Sequence, residues 1–399
     1  MKITARAANI APSLTLEITA QAKKLKSEGK DVVSFGAGEP DFNTPEYIRN
    51  SAKASMDKGL IKYTPASGLA TLKEVICEKL QKDNGLTYKP ADIVVSNGAK
   101  HSLHNAMQAI VSDGDEVIIP APYWLTYPEL VKLAGGVPVF VQTKKENGYK
   151  ITAQELENAI TDKTRAIILN NPNNPTGSVY SKEEIIALAK VLEKTDVAVI
   201  SDEIYEMLNY TDEKIYSIAQ YSEKMKNNTI IVNGVSKSYA MTGWRIGFTA
   251  CETAVAKAMS SMQSHMTSNP NTIAQYATIS AYTDEAGKEF IEQMHASFDR
   301  RRKLICAELD KITDLSYVKP EGAFYVFVDV TKVLGKKYEG EVIDTPLAFA
   351  KKLLSACDVA VIPCESFGND ECIRLSYAVS DEDIVKGVGR IADFVSKMN

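Results

Sequence analysis

Short apolar runs alternate with longer amphipathic segments through the middle of the chain, from residue 92 to residue 202. The runs read IVVS, EVIIP, PVFV, RAIIL and VAVIS. Between them, apolar residues recur at helical spacing, as at Leu103, Met107 and Ile110. Alternation of this kind predicts βαβ units that build a mostly parallel sheet.

The pattern changes after about residue 269, where long amphipathic segments replace the alternation. We expect helices over residues 285–310 and 345–356, with a few strands between and after them. Before this point, the runs TIIVNG and RIGFTA extend the first sheet. The later part of the chain therefore predicts a second, α+β unit.

The change of pattern predicts an α/β protein with two domains. A chain of 399 residues is long enough to bury more than one hydrophobic core. We expect a large domain over residues 47–285 with a mainly parallel sheet, and a smaller α+β domain over residues 286–399. Residues 1–46 are expected to contribute to the smaller domain.

Composition and charge narrow the classes of partner. Apolar residues make up 45% and charged residues 24%, which is ordinary for a globular protein. A formal net charge of −5 gives no attraction to nucleic acid or anionic membranes, so neither is an expected partner. No apolar run approaches the ~20 residues of a membrane helix, and the N-terminus lacks a signal peptide's apolar core. The scattered cysteines form no C-x-x-C pair, which favours a reduced, cytoplasmic protein.

Polar and aromatic residues follow several of the predicted strands. Parallel sheets bind ligands outside the carboxyl ends of their strands, so these residues are candidates for one site. A helix that begins at about Ala99 would present free backbone N–H groups to an anion. The strand-end candidates are Gly98, Ala99, Lys100, Trp124, Asn174, Asp202, Tyr205, Ser236 and Lys237.

Each candidate also has an ordinary structural explanation. A lysine such as Lys237 is usually solvated, and Asp202 could cap a helix. Asn174 before a proline is a common turn residue, and Trp124 alone favours packing. Arg374 could be a paired structural arginine. What favours a functional site is that most of these residues meet at one edge of one sheet and suit one chemical task.

Two other kinds of site are not supported. SFGAGEPDF places Gly36 and Gly38 after a strand, but the third glycine of a dinucleotide-binding fingerprint is missing and Pro40 opposes a helix there. His101 and His104 could share a helix face, yet no third ligand follows nearby in the sequence. We therefore expect neither a dinucleotide site nor a metal site.

The stretch GVSKSYAMTGWRIG, residues 234–247, resembles the class I aminotransferase signature around the lysine that binds pyridoxal phosphate. The pattern is a small residue before Lys237, then a fixed interval to Arg245, an apolar residue and glycine. The motifs GAGEPDF, YTPASG, PYW, NPNNPTG, SDEIY and RLSYA follow in the family's order along the whole chain. The resemblance implies the aspartate-aminotransferase fold (pyridoxal-phosphate fold type I) and a homodimer with active sites at the subunit interface.

The resemblance also implies the cofactor contacts. Lys237, with a pKa lowered by burial and nearby positive charge, would bind the cofactor and then serve as the base. Asp202 would keep the pyridine nitrogen protonated, and Arg245 would bind the phosphate bidentately. Tyr205 would contact the phenolic oxygen and assist catalysis. The other implied cofactor contacts are Gly98, Ala99, Lys100 and Ser236, with Asn174, Trp124 and Tyr63 of the partner subunit.

For the substrate, the resemblance implies a clamp on the α-carboxylate. Arg374 would bind that carboxylate, assisted by Asn174 and the Gly38 backbone, with Trp124 beside it. The clamp would orient the Cα–H bond across the cofactor ring, which selects proton loss over decarboxylation.

The distal end of the substrate points to a dicarboxylic amino acid. No arginine lies between residues 245 and 300, where some aspartate aminotransferases carry one. Lys100 and Thr15 occupy the positions that related bacterial enzymes use instead, which favours aspartate and glutamate. Ala11 stands where prephenate-accepting relatives have a basic residue. The implied reaction is transamination between aspartate and 2-oxoglutarate.

Other functions remain open on the same fold. An aminotransferase for aromatic amino acids or alanine, or a carbon–sulfur β-lyase, would keep the same cofactor residues. A regulator would need a DNA-binding segment, for which we expect no room before SFGAGEPDF. A non-catalytic binding protein would be expected to have lost Lys237 or Asp202, and both are present.

Overall fold

The protein is described by a computed structural model that covers residues 1–399, with the side chains of Ala5 and Arg6 left out of the description. A seven-stranded sheet has the strand order β2-β8-β7-β6-β5-β3-β4. Neighbouring strands run parallel from β7 to β4, and β8 is antiparallel to both of its neighbours. The predicted, mostly parallel sheet is confirmed. Its strands are β2 (Ile93–Ser96), β3 (Glu116–Ala121), β4 (Val137–Gln142), β5 (Thr164–Asn170), β6 (Ala198–Asp202), β7 (Thr229–Gly234) and β8 (Gly247–Ala250).

Helices cover both faces of this sheet. Alternate residues of β5 enter different hydrophobic clusters, with Ile168 on one face and Ile167 and Leu169 on the other. Burial on both faces explains why the strands read as continuous apolar runs. The helices in this part of the chain are α3 (Glu46–Asp57), α4 (Ala70–Asn84), α5 (Ala99–Ile110), α6 (Thr126–Leu133), α7 (Ala153–Ala159), α8 (Lys182–Leu192), α9 (Glu223–Asn227), α10 (Thr253–Met266) and α11 (Thr272–Thr283).

A second, antiparallel sheet lies in the C-terminal part, with the strand order β14-β15-β10-β9. Its strands are β9 (Ser316–Tyr317), β10 (Tyr325–Asp329), β14 (Ile362–Pro363) and β15 (Cys372–Ser376). The short strands β11 (Lys337–Tyr338) and β12 (Glu341–Val342) form a separate pair. The helices here are α12 (Ala286–Leu309), α13 (Pro346–Cys357) and α14 (Asp381–Ser396).

The N-terminal segment joins the C-terminal part. After α1 (Ala5–Ala8) and α2 (Leu14–Ser27), strand β1 (Val33–Ser34) pairs in parallel with β13 (Val359–Ala360). The division of the chain at residues 46 and 285 stays a prediction, because one hydrophobic cluster joins residues 204–208 to the C-terminal core.

Local signals explain where the predicted helices and strands begin. The Thr345 hydroxyl accepts from the amide of Ala348, and Pro346 fills the first position of α13. In contrast, β8 begins at Gly247 and not at Arg245 as the run RIGFTA predicts. Arg245 has φ 57°, a left-handed conformation that cannot continue an extended strand. In the described part of the chain, every helix is too short or too polar to traverse a bilayer.

A buried ion pair fastens the segment after β6 to helix α4. The Lys79 ammonium contacts a carboxylate oxygen of Glu206, and both side chains are almost fully buried. The side-chain amide of Asn84 donates to the other oxygen at 3.0 Å. Because Glu206 directly follows Tyr205, this network holds in place the segment that also carries Asp202.

We expect Lys79→Met to lower the free energy of unfolding by about 3–5 kcal/mol, because it leaves the Glu206 carboxylate buried without its cation. Urea unfolding followed by circular dichroism measures the loss. Lys352→Met is the matched control: Lys352 pairs with the exposed Glu341 at 3.0 Å, so its loss should stay below about 1 kcal/mol. Equal losses in the two variants would contradict the role given to the buried pair.

Candidate active site

A cavity of about 820 Å³ lies at the carboxyl ends of the parallel strands. It is closed on another side by residues of the N-terminal segment and of the C-terminal sheet. Most of the predicted site residues line it: Thr15, Gly38, Ala99, Lys100, Trp124, Asn174, Asp202, Tyr205, Ser236, Lys237, Arg245 and Arg374. The candidates therefore converge on one space, although they come from segments far apart in the sequence.

The start of α5 and Arg245 form an anion-binding corner. Gly98 has φ 85°, and a Cβ there would lie 2.4 Å from the Arg245 Nη2 atom. The Arg245 guanidinium therefore packs directly against the backbone at the helix start, and its Nη1 donates to the Thr242 carbonyl at 2.9 Å. The first-turn amides of Ala99 and Lys100 have no carbonyl one turn earlier to bond. A guanidinium beside a helix N-terminus suits a phosphate group.

Asp202 is a buried carboxylate at the end of β6. Its Oδ2 accepts from the Tyr127 hydroxyl at 2.8 Å, and its Oδ1 accepts from the Ile204 amide at 3.3 Å. Burial raises the pKa of Asp202 to about 6, while the Tyr127 hydrogen bond and the Lys237 charge act in the opposite direction. The carboxylate can therefore stay ionised at neutral pH and hold a proton on a basic ring nitrogen.

Lys237 lies three residues after the end of β7 and lines the cavity, and its ammonium donates to the Gly38 carbonyl oxygen. Burial lowers the pKa of Lys237 to about 8. The Glu39 carboxylate opposes that shift, whereas Arg374 and Arg245 add to it. A substantial fraction of this amine is neutral near pH 8, so it can attack a carbonyl carbon or accept a proton.

Arg374 projects from β15 into the same cavity and is 2% exposed. Its Nη1 donates to the Asn174 side-chain oxygen at 2.9 Å, and its Nη2 donates to the Gly36 carbonyl at 3.5 Å. The guanidinium also lies 4.3 Å from the centre of the Tyr325 ring. Its Nε finds no hydrogen-bond partner among the residues that the structure describes. A buried guanidinium with neutral partners suits a carboxylate ligand.

A further cation and a free hydroxyl face the cavity. The Lys100 ammonium lies 4.8 Å from the centre of the Trp124 ring. Burial, and then the nearby Arg245, lower the pKa of Lys100. The buried Oγ1 of Thr15 has no partner within the described part of the molecule.

Tyr63 lies apart from the cavity of its own chain and is 90% exposed. Gly98 belongs to the site through the Arg245 guanidinium that packs on it, as described above. The role that the resemblance implies for Tyr63 depends on a second subunit and stays a prediction.

Several lining residues were missed by sequence reasoning: Gly36, Glu39, Tyr127, Asn170, Thr242 and Tyr325. Tyr127 could have been found, because it lies one helical turn after Trp124 at a strand end. Asn170 could also have been found as the last residue of β5, where its side chain orients the Asp202 carbonyl and the Asn174 amide. Tyr325 carries no such signal, since it begins β10 and does not follow the carboxyl end of a strand. Its hydroxyl is 3.0 Å from the Tyr205 hydroxyl.

His101 and His104 stack with ring centres 6.4 Å apart. Burial lowers the pKa of both rings. Across the described residues, no three potential metal ligands come together.

The donor set fits the pyridoxal phosphate that the resemblance implies. The cavity combines a lysine with a lowered pKa, a buried carboxylate and a guanidinium at a helix start. The close approach of Arg245 to Gly98 leaves no space for a side chain there, as a phosphate cradle requires. Lys237, Asp202 and Arg245 could therefore hold the carbonyl carbon, the ring nitrogen and the phosphate of such a group.

Known proteins resemble this chain over nearly its whole length. A family model described as "Aminotransferase class I and II" matches residues 30–391. The aspartate aminotransferase of Bacillus subtilis is 49% identical over 397 residues, which cover 100% of both chains. The aspartate/prephenate aminotransferase of Cereibacter sphaeroides is 43% identical, with 98% of each chain covered. The crystal structure of the aspartate aminotransferase from Rhizobium meliloti superimposes with a TM-score of 0.96 at 40% identity, covering 100% of both chains.

We expect chemical labelling of Lys237 in the cofactor-free protein to be half-maximal near pH 8, because burial lowers the pKa of its amine to that value. Labelling should rise with pH, since deprotonation creates the nucleophile. Competitive labelling with acetic anhydride and peptide mass mapping measures the midpoint. In urea the same lysine should titrate near its ordinary value of about 10.4. A midpoint at pH 10 or above in the folded protein would show that the amine is not perturbed.

Proposed function

The chain belongs to the class I and II aminotransferase family, and on that premise we propose that it transfers an amino group from aspartate to 2-oxoglutarate. The observation that carries this proposal is the arrangement of charge in the cavity. Lys237 and Asp202 line the same cavity as two separate arginines, Arg245, which packs against the start of α5, and Arg374 in β15. One arginine is available for a cofactor phosphate and the other for a substrate carboxylate.

Members of this family use pyridoxal phosphate, and we propose the same cofactor here. When bound, pyridoxal phosphate supplies an electron sink for the charge that develops as the substrate Cα–H bond breaks. In this proposal Lys237 holds the cofactor covalently, Asp202 keeps its ring nitrogen protonated, and Arg245 with the first turn of α5 binds its phosphate. Trp124 covers one face of its ring. The lowered pKa of Lys237 and the hydrogen bond from Tyr127 to Asp202 support these roles.

The substrate is oriented by its α-carboxylate. Arg374 would bind that carboxylate bidentately, and Asn174 steadies the guanidinium through the bond at 2.9 Å. This orientation places the substrate Cα–H bond toward Lys237. Once the substrate amino group has taken its place on the cofactor, the freed Lys237 amine would remove the proton from the substrate Cα as a general base and return it as a general acid. The Tyr205 hydroxyl lies 3.0 Å from the Tyr325 hydroxyl, and in this proposal it would contact the phenolic oxygen of the cofactor.

The distal carboxylate of aspartate would meet Lys100 and Thr15. Lys100 brings an ammonium to the cavity, and the Thr15 hydroxyl is free to donate. A carboxylate between them would receive one charge-assisted and one neutral hydrogen bond. These two groups favour a dicarboxylic substrate over an apolar one.

A second copy of the chain would complete the site. The end of α3 and the residues that follow it expose large apolar side chains. Among them, Met56, Ile61 and Tyr63 are 46%, 60% and 90% exposed. Exposed apolar groups of this density mark an interaction surface. We infer that a homodimer covers these side chains and that Tyr63 of the partner subunit reaches the anion-binding corner.

Transamination from a panel of amino donors to 2-oxoglutarate tests the function. We expect aspartate to be the preferred donor, and borohydride treatment of the holoenzyme to leave a reduced pyridoxyl group on Lys237. Lys237→Ala is the control and should give neither turnover nor adduct. Preferred turnover of alanine or an aromatic donor, or release of ammonia and pyruvate from cystathionine, would favour the corresponding alternative enzyme. An adduct on another lysine would overturn the assignment of the site.

Lys100→Ser tests the proposed anchor of the distal carboxylate. We expect kcat/KM to fall about ten- to a hundredfold for aspartate and much less for phenylalanine, because one charge-assisted contact of about 1.5–3 kcal/mol is lost. Steady-state kinetics with both donors, together with the dissociation constant of the cofactor, decide the matter. Equal losses for both donors, or a weaker hold on cofactor alone, would assign Lys100 to the phosphate.

A further inference from the structure

Residues 36–41, with the sequence GAGEPD, run along the edge of the cavity, and we call them the strap. Gly36, Gly38 and Glu39 all line the cavity. Hydrogen bonds from four distant side chains hold the strap. They run from Arg374 to the Gly36 carbonyl at 3.5 Å, from Lys237 to the Gly38 carbonyl, from the Thr242 hydroxyl to Glu39 at 2.7 Å, and from Arg301 to Asp41 at 2.7 Å.

Packing fixes one end of the strap and leaves its middle open. A Cβ at Gly36 would meet Ile362 at 3.2 Å and Thr19 at 3.3 Å, so this end is tightly enclosed. At Gly38, a Cβ would meet only the Tyr325 hydroxyl, at 3.8 Å. The middle of the strap therefore depends on hydrogen bonds for its position, and not on close contacts.

Two of the four bonds use donors that the reaction requires. The Lys237 amine cannot keep its bond to the Gly38 carbonyl while it is joined to a cofactor. Arg374 likewise turns toward the substrate carboxylate and away from the weak contact with Gly36. Both statements rest on the proposed function. In the working enzyme, the strap therefore loses support on the side that faces the substrate.

The remaining two bonds use the donors Thr242 and Arg301, which have no direct role in the proposed reaction. Arg301 belongs to α12 and holds Asp41 at the far end of the strap, outside the cavity. Thr242 lies between Lys237 and Arg245, and its backbone carbonyl accepts from the Arg245 guanidinium at 2.9 Å. The bond from Thr242 to Glu39 therefore joins the middle of the strap to the loop that carries both cofactor-binding groups.

We propose that Glu39 and Thr242 are positioning residues whose hydrogen bond holds the strap over the cavity once Lys237 and Arg374 are engaged. The bond keeps the Gly38 backbone beside the place where the substrate carboxylate binds. Without it, substrate binding must also order the strap, and this cost weakens binding. The chemical step itself, carried out by Lys237, is left largely intact.

The test uses the holoenzyme with Glu39→Ala, Thr242→Val and the double variant. Thr242→Val keeps the backbone carbonyl that binds Arg245 and removes the hydroxyl. We expect the KM for aspartate to rise about three- to tenfold in either single variant, as for loss of one hydrogen bond. In Thr242→Val, which keeps the Glu39 charge near Lys237, kcat should change less than about twofold. The dissociation constant of succinate, a dicarboxylate with no amino group to transfer, should rise by the same factor. The double variant should be no worse than the worse single variant.

Two controls separate positioning from general damage to the fold. Thr242→Ser restores a hydroxyl and should return both constants to within about twofold of the unmodified enzyme. Glu341→Ala removes an exposed carboxylate that pairs with Lys352 at 3.0 Å, remote from the cavity, and should change neither constant. Cofactor affinity should stay within about twofold in all these variants.

The proposal is overturned if the two single effects multiply in the double variant, if Thr242→Ser behaves as Thr242→Val, or if succinate binds the variants as it binds the unmodified enzyme. Failure of the proposed function has a different signature. An unmodified holoenzyme that neither transaminates aspartate nor binds succinate would overturn the function, and the positioning role with it. An active holoenzyme with unaffected variants would overturn the positioning role alone.

Discussion

Removal of the Lys237 amine from water is the physical constraint on which the proposed site depends, because it lowers the pKa of that amine. A lysine at its ordinary pKa would be almost fully protonated at neutral pH and could neither attack a carbonyl nor accept a proton. Here burial lowers the pKa to about 8, and the positive charges of Arg374 and Arg245 act in the same direction. Both arginines are also ligand-binding groups in the proposed reaction. In that proposal the same charges would both bind anions and lower the pKa of the base.

The same burial would work against the carboxylate if nothing opposed it. Desolvation raises the pKa of Asp202 to about 6, and the Tyr127 hydroxyl and the Ile204 amide limit that rise because they stabilise the charged form. The buried pair of Lys79 and Glu206 holds the segment that follows Asp202. The acid therefore keeps its charge in the desolvated cavity through specific hydrogen bonds, whereas burial and the charges of Arg374 and Arg245 lower the pKa of the base.

Close backbone packing positions the two parts of the anion-binding corner, Arg245 and the start of α5. Strand β8 is antiparallel to β2 and β7, and it starts two residues after Arg245, whose backbone is left-handed. A Cβ at Gly247 would lie 2.2 Å from the Ala99 amide nitrogen, so β8 passes against the first turn of α5. These contacts bring a guanidinium from one segment to the helix start of another, and they require glycine at both Gly98 and Gly247.

The sequence by itself determined the βαβ alternation, the helices α12 and α13, and the strand-end residues Asp202, Asn174 and Lys237. Hydrophobic periodicity reports burial along one segment, and the family's motifs are local, so both can be read without a structure. Only the tertiary structure decided that Tyr127 donates to Asp202, that Tyr325 meets Tyr205, and that Glu39 bonds to Thr242. These partners lie 75 to 203 residues apart. Their contacts follow from the order of the strands and from the return of the N-terminal segment over the cavity, which periodicity along one segment does not encode.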